Sequence, residues 1–119
     1  MTQREMNVHA YYVSNGMDRY RKFTVAPTDE ATLLKNVKEM LDLMGALIIR
    51  ESKATKRGVS DLLVCYRGRF VAIETKDDTG APSPHQLKFI LKVREAGGIA
   101  DVVTTVEQAF ALLLRATEK

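Results

Sequence analysis

The stretch DLLVCYRGRFVAIETK, residues 61–76, decides the fold of this 119-residue chain. Two runs rich in apolar residues flank the pair Arg67-Gly68, and a short turn pair containing glycine between such runs is typical of a β-hairpin. If the hairpin turns tightly at this pair, Tyr66 pairs with Arg69. The sequence therefore predicts two antiparallel strands in a fixed register.

Charged residues occupy the open end of this predicted hairpin. Side chains alternate across a strand, so Glu74 and Lys76 share one face while Thr75 points away. Counting outward from the turn, Asp61 lies opposite Glu74, and directly opposed residues have Cβ atoms about 5 Å apart. Two carboxylates at that separation share either a proton or a cation such as Mg²⁺, for which the Thr75 carbonyl is a further candidate ligand. A solvated strand end is the alternative on this pattern alone.

Composition limits the classes of protein that the chain can belong to. Its length predicts one domain, and 45% hydrophobic with 28% charged residues is ordinary for a soluble globular protein. Its single cysteine, Cys65, excludes an internal disulfide and a cysteine-rich zinc site. A net charge of +3 is compatible with a polyanionic partner. Because no apolar run approaches a membrane span and no secretory signal is recognisable, we expect a cytoplasmic protein without a membrane or organic cofactor as partner.

Helix and strand signals surround the hairpin. Before the hairpin we expect a helix capped by Thr28 and closed by Gly45, and then a strand at 46–50 (ALIIR). After the hairpin we expect a helix within 83–98 (SPHQLKFILKVREAGG), which begins with a capping box of Ser83 and Gln86, and then a strand at 99–104 (IADVVT). A last helix extends through Leu114 and is opened by a capping box of Thr104 and Glu107. Helices and strands mixed in this order predict an α/β sandwich around a mixed central sheet.

The first 28 residues are expected to form a separate N-terminal arm or hairpin (1–28) before the main domain (29–119). The pair Asn15-Gly16 is a frequent hairpin turn. Aromatic and basic side chains alternate through the segment, namely Tyr11, Tyr12, Arg19, Tyr20, Arg21, Lys22 and Phe23. Such a mixture can follow a nucleic-acid backbone and stack on bases. An ordinary solvated hairpin and a dimer contact are the alternatives.

A third acid belongs to the first predicted helix. At about 100° per residue, Glu30 falls near the centre of the apolar stripe that includes Leu33 and Val37. An acid in the first turn is favourable to the helix dipole, but this does not explain why Glu30 faces inward. An inward carboxylate needs a partner, and a metal ion or Lys76 would serve.

The segments RGVSDLLVCYRGRFVAIETK (57–76), SPHQ (83–86) and EAGGIADVV (95–103) together resemble the virus-type replication-repair nuclease domain, VRR-NUC, a branch of the PD-(D/E)XK nuclease superfamily. The family pattern is a helix glutamate, then Gly-x-x-Asp, then Glu-x-Lys, then a glutamine that opens the next helix. The matching residues here are Glu30, Gly58 with Asp61, Glu74 with Lys76, and Gln86. The resemblance covers roughly residues 29–114 and implies a restriction-endonuclease-like αβββαβ core followed by a C-terminal helix.

The resemblance also implies a role for each residue of the pattern. Asp61, Glu74 and the Thr75 carbonyl would bind Mg²⁺ or Mn²⁺, which polarises the scissile phosphate and lowers the pKa of a bound water. Lys76 would orient or activate that water and offset the developing negative charge. Glu30 would hold metal-bound water, and Gln86 would line the site in addition to capping its helix.

A basic loop precedes the hairpin. Lys53, Lys56 and Arg57 are expected to contact phosphates independently of sequence, and a merely solvated loop is the alternative. The resemblance implies a metal-dependent endodeoxyribonuclease that selects branched DNA such as four-way junctions, acts as a homodimer and serves DNA repair. The compactness of the chain indicates a bacterial or phage-infected cell. The alternatives are a sequence-reading restriction-type nuclease, an exonuclease, a non-catalytic nucleic-acid-binding module and a structural subunit.

Overall fold

The computed structural model of the protein describes residues 1–14, 23–24, 29–51, 59–77 and 81–117. The elements within these ranges are, in chain order, α1 (Gln3–Ser14), α2 (Glu30–Met44), β1 (Leu47–Glu51), β2 (Leu62–Tyr66), β3 (Arg69–Thr75), α3 (Pro84–Glu95), β4 (Ile99–Val103) and α4 (Val106–Arg115). None of the described helices is long and apolar enough to cross a membrane.

The strands form one four-stranded sheet in the order β1-β2-β3-β4. The first three are antiparallel neighbours, and β4 joins β3 in parallel after the crossover through α3. Central strand β3 is buried continuously from Val71 to Thr75, whereas edge strand β1 is mostly exposed. This mixed sheet flanked by helices confirms the predicted α/β class and the restriction-endonuclease-like fold.

The hairpin between β2 and β3 has the predicted turn and register. Arg67 and Gly68 both have positive φ, 51° and 81°, as the two-residue turn that matches strand twist requires. Tyr66 pairs with Arg69, and the ladder continues without a bulge to Leu62 opposite Ile73. This register brings the start of β2 beside the end of β3.

Helices cover both faces of the sheet. On one face, α1, α2 and α4 enclose the larger apolar core, which includes Leu33, Val64 and Ile73. On the other, α3 packs Ile90 and Val93 against the middle of β3 and β4 in a smaller cluster. The central strand is therefore held from both sides, which fixes the position of the residues at its end.

The predicted N-terminal hairpin is wrong in its first limb, because Gln3–Ser14 is helical. Thr2 and Glu5 form reciprocal hydrogen bonds at the start of α1, as in a capping box. Tyr12 and Phe23, which were expected to belong to an arm outside the core, are buried in the larger cluster. The predicted turn residues Asn15-Gly16 and the basic residues 19, 21 and 22 lie outside the described residues.

The N-cap of helix α2 lies one residue later than predicted. Asp29 has extended backbone angles, and its side chain accepts a hydrogen bond from the Thr32 amide, so Asp29 and not Thr28 is the N-cap. Threonine and aspartate are both good N-cap residues, and the aspartate is the one that caps the helix. Gly45 closes the helix in the left-handed conformation at φ 76°, as predicted.

The last helix shows the same shift by one position. Thr105, and not Thr104, is the N-cap of α4, and its hydroxyl accepts from the Gln108 amide. The Gln108 side chain in turn accepts from the Thr104 amide. The predicted pairing of Thr104 with Glu107 is therefore wrong, because Gln108 and not Glu107 provides the side-chain acceptor.

Candidate active site

The open end of the β2–β3 hairpin brings two acids together. Asp61 directly precedes β2, and Glu74 is the next-to-last residue of β3. The Asp61 amide donates a hydrogen bond of 3.2 Å to Glu74 Oε2. The hairpin register, which the turn at Arg67-Gly68 sets, thus places the Asp61 backbone against the Glu74 carboxylate.

Glu74 is the most enclosed residue of this site, with 1% of its surface exposed. Its Oε1 atom accepts a hydrogen bond of 2.8 Å from Gln86 Nε2. Lys76 Nζ lies 3.9 Å from the same oxygen, and the Lys76 side chain is 17% exposed. An amide and a partly accessible cation therefore both lie near one oxygen of this acid.

Burial and a neighbouring acid both act on the pKa of Glu74. Burial raises this pKa most, the charge of Asp61 raises it further, and together they bring it to about 7. Lys76 and the Asp61 amide act in the opposite direction without balancing them. Glu74 thus holds a proton at a pH at which an ordinary glutamate is ionised.

The Asp61 carboxylate is held by Thr75. Asp61 Oδ2 accepts hydrogen bonds from the Thr75 amide at 2.9 Å and from the Thr75 hydroxyl at 2.7 Å. The prediction from strand alternation that the Thr75 side chain points away from the site is therefore wrong for its hydroxyl. Asp61 lies outside the β2 ladder, so its side chain can turn toward Thr75. No pattern in the sequence identifies this contact.

Gln86 serves the helix and the site at once. Its Oε1 accepts from the Ser83 amide, and the Ser83 hydroxyl accepts from the Gln86 amide, which completes the predicted capping box of α3. Its Nε2 donates to Glu74. One side-chain amide thus joins the start of α3 to the end of β3.

The remaining residues of the predicted site are Glu30 and those of the loop before β2. Glu30 is half-buried in the first turn of α2, and among the described residues it forms no hydrogen bond or ion pair with the two acids. Lys53, Lys56 and Arg57 lie outside the described residues, as does Gly58. Their predicted roles stay predictions.

The donor set is suited to a hard divalent cation. Within the described ranges, no group of three or more histidine, cysteine, aspartate or glutamate side chains converges. Magnesium sites in proteins commonly use one or two carboxylates and complete their shell with water, and Asp61 with Glu74 provides two. The raised pKa of Glu74 reflects burial and repulsion by Asp61, and a cation between the two acids would relieve that repulsion.

Comparison with known proteins identifies the family. No protein-family profile and no curated protein matches the chain. Among solved structures, one described as a VRR_NUC domain is 32% identical with a TM-score of 0.61, and the match covers 74% of this chain and 97% of that one. Such identity over nearly the whole of the matched domain establishes kinship, and the name of the domain denotes a nuclease. The chain therefore belongs to the VRR-NUC family, and its function is of the nuclease type.

Proposed function

We propose that the protein is a Mg²⁺- or Mn²⁺-dependent endonuclease that hydrolyses DNA phosphodiester bonds. The observation that supports this most strongly is the pair of acids formed by half-buried Asp61 and buried Glu74, in which the pKa of Glu74 is raised to about 7. Acids with strongly shifted pKa values concentrate at functional sites. Lys76 and Gln86, both within reach of Glu74 Oε1, complete a set that has one basic and one amide group.

Asp61, Glu74 and the Thr75 carbonyl would hold the cation. When bound, such a cation polarises the scissile phosphate and lowers the pKa of a water that it binds. The protein's own residues prepare the site for it: Thr75 fixes one oxygen of Asp61, and Gln86 fixes one oxygen of Glu74. Glu30, at the start of α2, is the proposed holder of water around the cation.

Lys76 is the proposed group that acts on the attacking water and on the developing charge. Its side chain is partly accessible, so its ammonium can meet a phosphate that approaches from solvent. A donor placed where negative charge develops in the transition state typically contributes about 100- to 1000-fold to the rate. Lys76 is therefore expected to act on turnover more than on binding.

Branched DNA, such as a four-way junction, is the proposed substrate. Lys53, Lys56 and Arg57 are proposed to contact phosphates on the flanking strands, which positions DNA without reading its sequence. The net charge of +3 favours approach to a polyanion.

A homodimer would present two such sites to two DNA strands. Exposed apolar side chains support a partner surface: Leu47 and Ile49 on edge strand β1, and Met6 and Val13 on α1. Tyr12, predicted as part of a dimer contact, is a core residue and is excluded from that role. A monomer in sedimentation at micromolar concentration would contradict the proposed dimer.

A cleavage assay over several DNA structures tests the function. Linear, single-stranded, flapped and four-way DNA are incubated with Mg²⁺, with Mn²⁺ and with a chelator. We expect metal-dependent internal cuts with the four-way substrate preferred. Digestion from ends would indicate an exonuclease, and cuts at one sequence in linear duplex would indicate a restriction-type enzyme. Binding without cleavage under every condition would indicate a non-catalytic module.

The variant Lys76→Ala separates catalysis from recognition. Cleavage in Mg²⁺ should fall about 100- to 1000-fold, while DNA binding measured in Ca²⁺ should change little, because one lysine among many phosphate contacts contributes modestly to affinity. Lys35→Ala, a change of an exposed lysine on α2, is the matched control and should leave both unchanged. A variant that binds tenfold more weakly yet turns over normally at saturation would make Lys76 a phosphate contact instead.

A further inference from the structure

We propose that the Thr75 hydroxyl is a positioning group that holds the Asp61 carboxylate in the orientation needed to bind a divalent cation. The proposal rests on the proposed function, because it concerns how the same site is kept ready. Thr75 is buried at the end of β3, and its hydroxyl donates to Asp61 Oδ2 at 2.7 Å. The Thr75 amide donates to the same oxygen at 2.9 Å.

Asp61 needs such a support because the pairing of β2 with β3 does not reach it. The residue precedes β2, and the paired ladder ends with Leu62 opposite Ile73. Its side chain has two rotatable bonds, and the strand register does not fix either of them. The hydroxyl and the amide of one neighbouring residue therefore decide where the carboxylate points.

The convergence of both donors on one oxygen has a chemical consequence. Oδ2 receives two hydrogens, so Oδ1 is the oxygen left for a cation or for the acid of Glu74. Hydrogen bonds to an ionised acceptor are shorter and stronger than neutral ones. Groups that orient a metal-ligating carboxylate in this way typically affect metal affinity or activity by about 10- to 100-fold when they are removed.

Substitution of Thr75 by valine or by serine separates its branched shape from its hydroxyl group. Valine keeps the branched shape that suits a strand end but lacks the hydroxyl, whereas serine keeps the hydroxyl and lacks the methyl group. A purely structural role in filling space would be preserved by valine. A positioning role would be preserved by serine.

The test measures Mn²⁺ binding without DNA, from the paramagnetic resonance signal of free Mn²⁺, together with the cleavage rate at saturating DNA. We expect Thr75→Val to bind Mn²⁺ about 10- to 100-fold more weakly and to cleave correspondingly more slowly. Thr75→Ser should stay within about threefold of the wild type in both measurements. Thr117→Val, which removes a threonine hydroxyl bonded to the Leu114 carbonyl at the end of α4, is the control and should change neither.

The outcomes distinguish this inference from the proposed function. A wild-type protein that neither binds Mn²⁺ nor cleaves overturns both. A wild type that binds and cleaves, with a Thr75→Val variant equal to it, overturns the positioning role alone. If Thr75→Val does not fold by circular dichroism, Thr75→Ala replaces it in the comparison with Thr75→Ser. Equal Mn²⁺ affinity in the alanine and serine variants then overturns the positioning role.

Discussion

Two glutamates of this protein are equally hidden from solvent and behave in opposite ways. Glu5 on α1 and Glu74 on β3 each expose 1% of their surface. Burial acts to raise the pKa of both, yet the pKa of Glu5 is lowered from its usual value whereas that of Glu74 is raised to about 7. The same residue type at the same surface exposure thus has a lowered pKa in one place and a raised pKa in the other.

The neighbours account for much of the difference, and the deeper burial of Glu74 adds to it. Around Glu5, hydrogen bonds from the Thr2 amide at 2.5 Å and the Tyr66 hydroxyl at 2.9 Å outweigh burial, and Arg67 lies 3.9 Å away with half of its side chain exposed. Glu74 instead has an acid, Asp61, beside it, and Lys76 does not compensate. Glu5 thus has hydrogen-bond donors for its carboxylate and connects α1 to the β2–β3 turn. Glu74 has too little positive charge around it to compensate for burial and for the charge of Asp61.

The largest expected effect distinguishes the two acids by activity. Glu74→Gln should reduce DNA cleavage by at least about 100-fold, because it removes one of two carboxylates for the cation. Glu5→Gln, the same change at equal burial, should leave turnover at saturating metal and DNA unchanged. The measurement is the single-turnover cleavage rate of each folded variant. An inactive Glu5→Gln variant with native stability would contradict the prediction that only Glu74 takes part in cleavage.

The second effect is a pH dependence of stability that belongs to Glu74. Its pKa is raised from 4.5 to about 7 in the folded protein, so the folded state keeps a proton that the unfolded state releases. The stability due to this residue is therefore fully present below pH 4.5 and is lost as pH rises through 7. The loss is on the order of 3 kcal/mol.

Denaturant unfolding with a chelator, from pH 4.5 to 8, tests this dependence against Glu74→Gln. The free energy of unfolding of the wild type should decline relative to that of the variant across the window. Added Mg²⁺ should reduce the decline, because a cation stabilises the ionised form. Parallel curves for the two proteins would mean that Glu74 titrates normally.

The third effect has the opposite sign and belongs to Glu5. Glu5→Gln should lower the free energy of unfolding at neutral pH by about 1–2 kcal/mol, because hydrogen bonds to a charged acceptor become bonds to a neutral one. The pKa of Glu5 is lowered, so its stabilisation is present above its unfolded pKa and is lost as pH falls through the folded value. The difference between wild type and variant should accordingly vanish in strong acid. A difference that persists there would point to packing instead of charge.

The smallest expected effect on stability concerns Asp61. Asp61→Asn removes the charge that helps to raise the pKa of Glu74, so that pKa should fall while staying above its usual range, because burial persists. Stability at neutral pH without metal should hold or rise by about 0.2–1 kcal/mol, while cleavage is lost. Asp101→Asn, at an aspartate paired with Arg94 and Arg115, is the control and should not alter the pH dependence due to Glu74. A sharp fall in melting temperature with surviving activity would make Asp61 structural.

The sequence predicted the sheet because its decisive signal is local. Arg67-Gly68 specifies the turn, the turn specifies the register, and the register brings Asp61 to Glu74. The capping box of Ser83 and Gln86 is equally local and was predicted correctly. What could not be predicted is the set of contacts that depend on side-chain direction outside regular structure, such as the Thr75 hydroxyl on Asp61.

Helix α1 was missed although the sequence contains a signal for it. Thr2 and Glu5 have the spacing of a capping box, and Glu5, Val8 and Tyr12 recur at helical intervals on the buried side. The turn pair Asn15-Gly16 and the high aromatic content favoured a hairpin instead. The tertiary bond from Tyr66 to Glu5 explains why a polar residue belongs on that buried side.

The Gln86 side chain caps α3 and also donates a hydrogen bond to Glu74, and these two roles limit the substitutions that position 86 can accept during evolution. A capping box accepts glutamate as readily as glutamine, so α3 alone would tolerate Gln86→Glu. The contact with Glu74 would be lost, because Glu74 accepts a hydrogen bond from the Gln86 amide. A glutamate at position 86, when ionised, has no hydrogen to donate and would add a third acid beside Asp61 and Glu74. Glu74 on β3 thus disfavours Gln86→Glu, although the cap of α3 alone would accept this substitution.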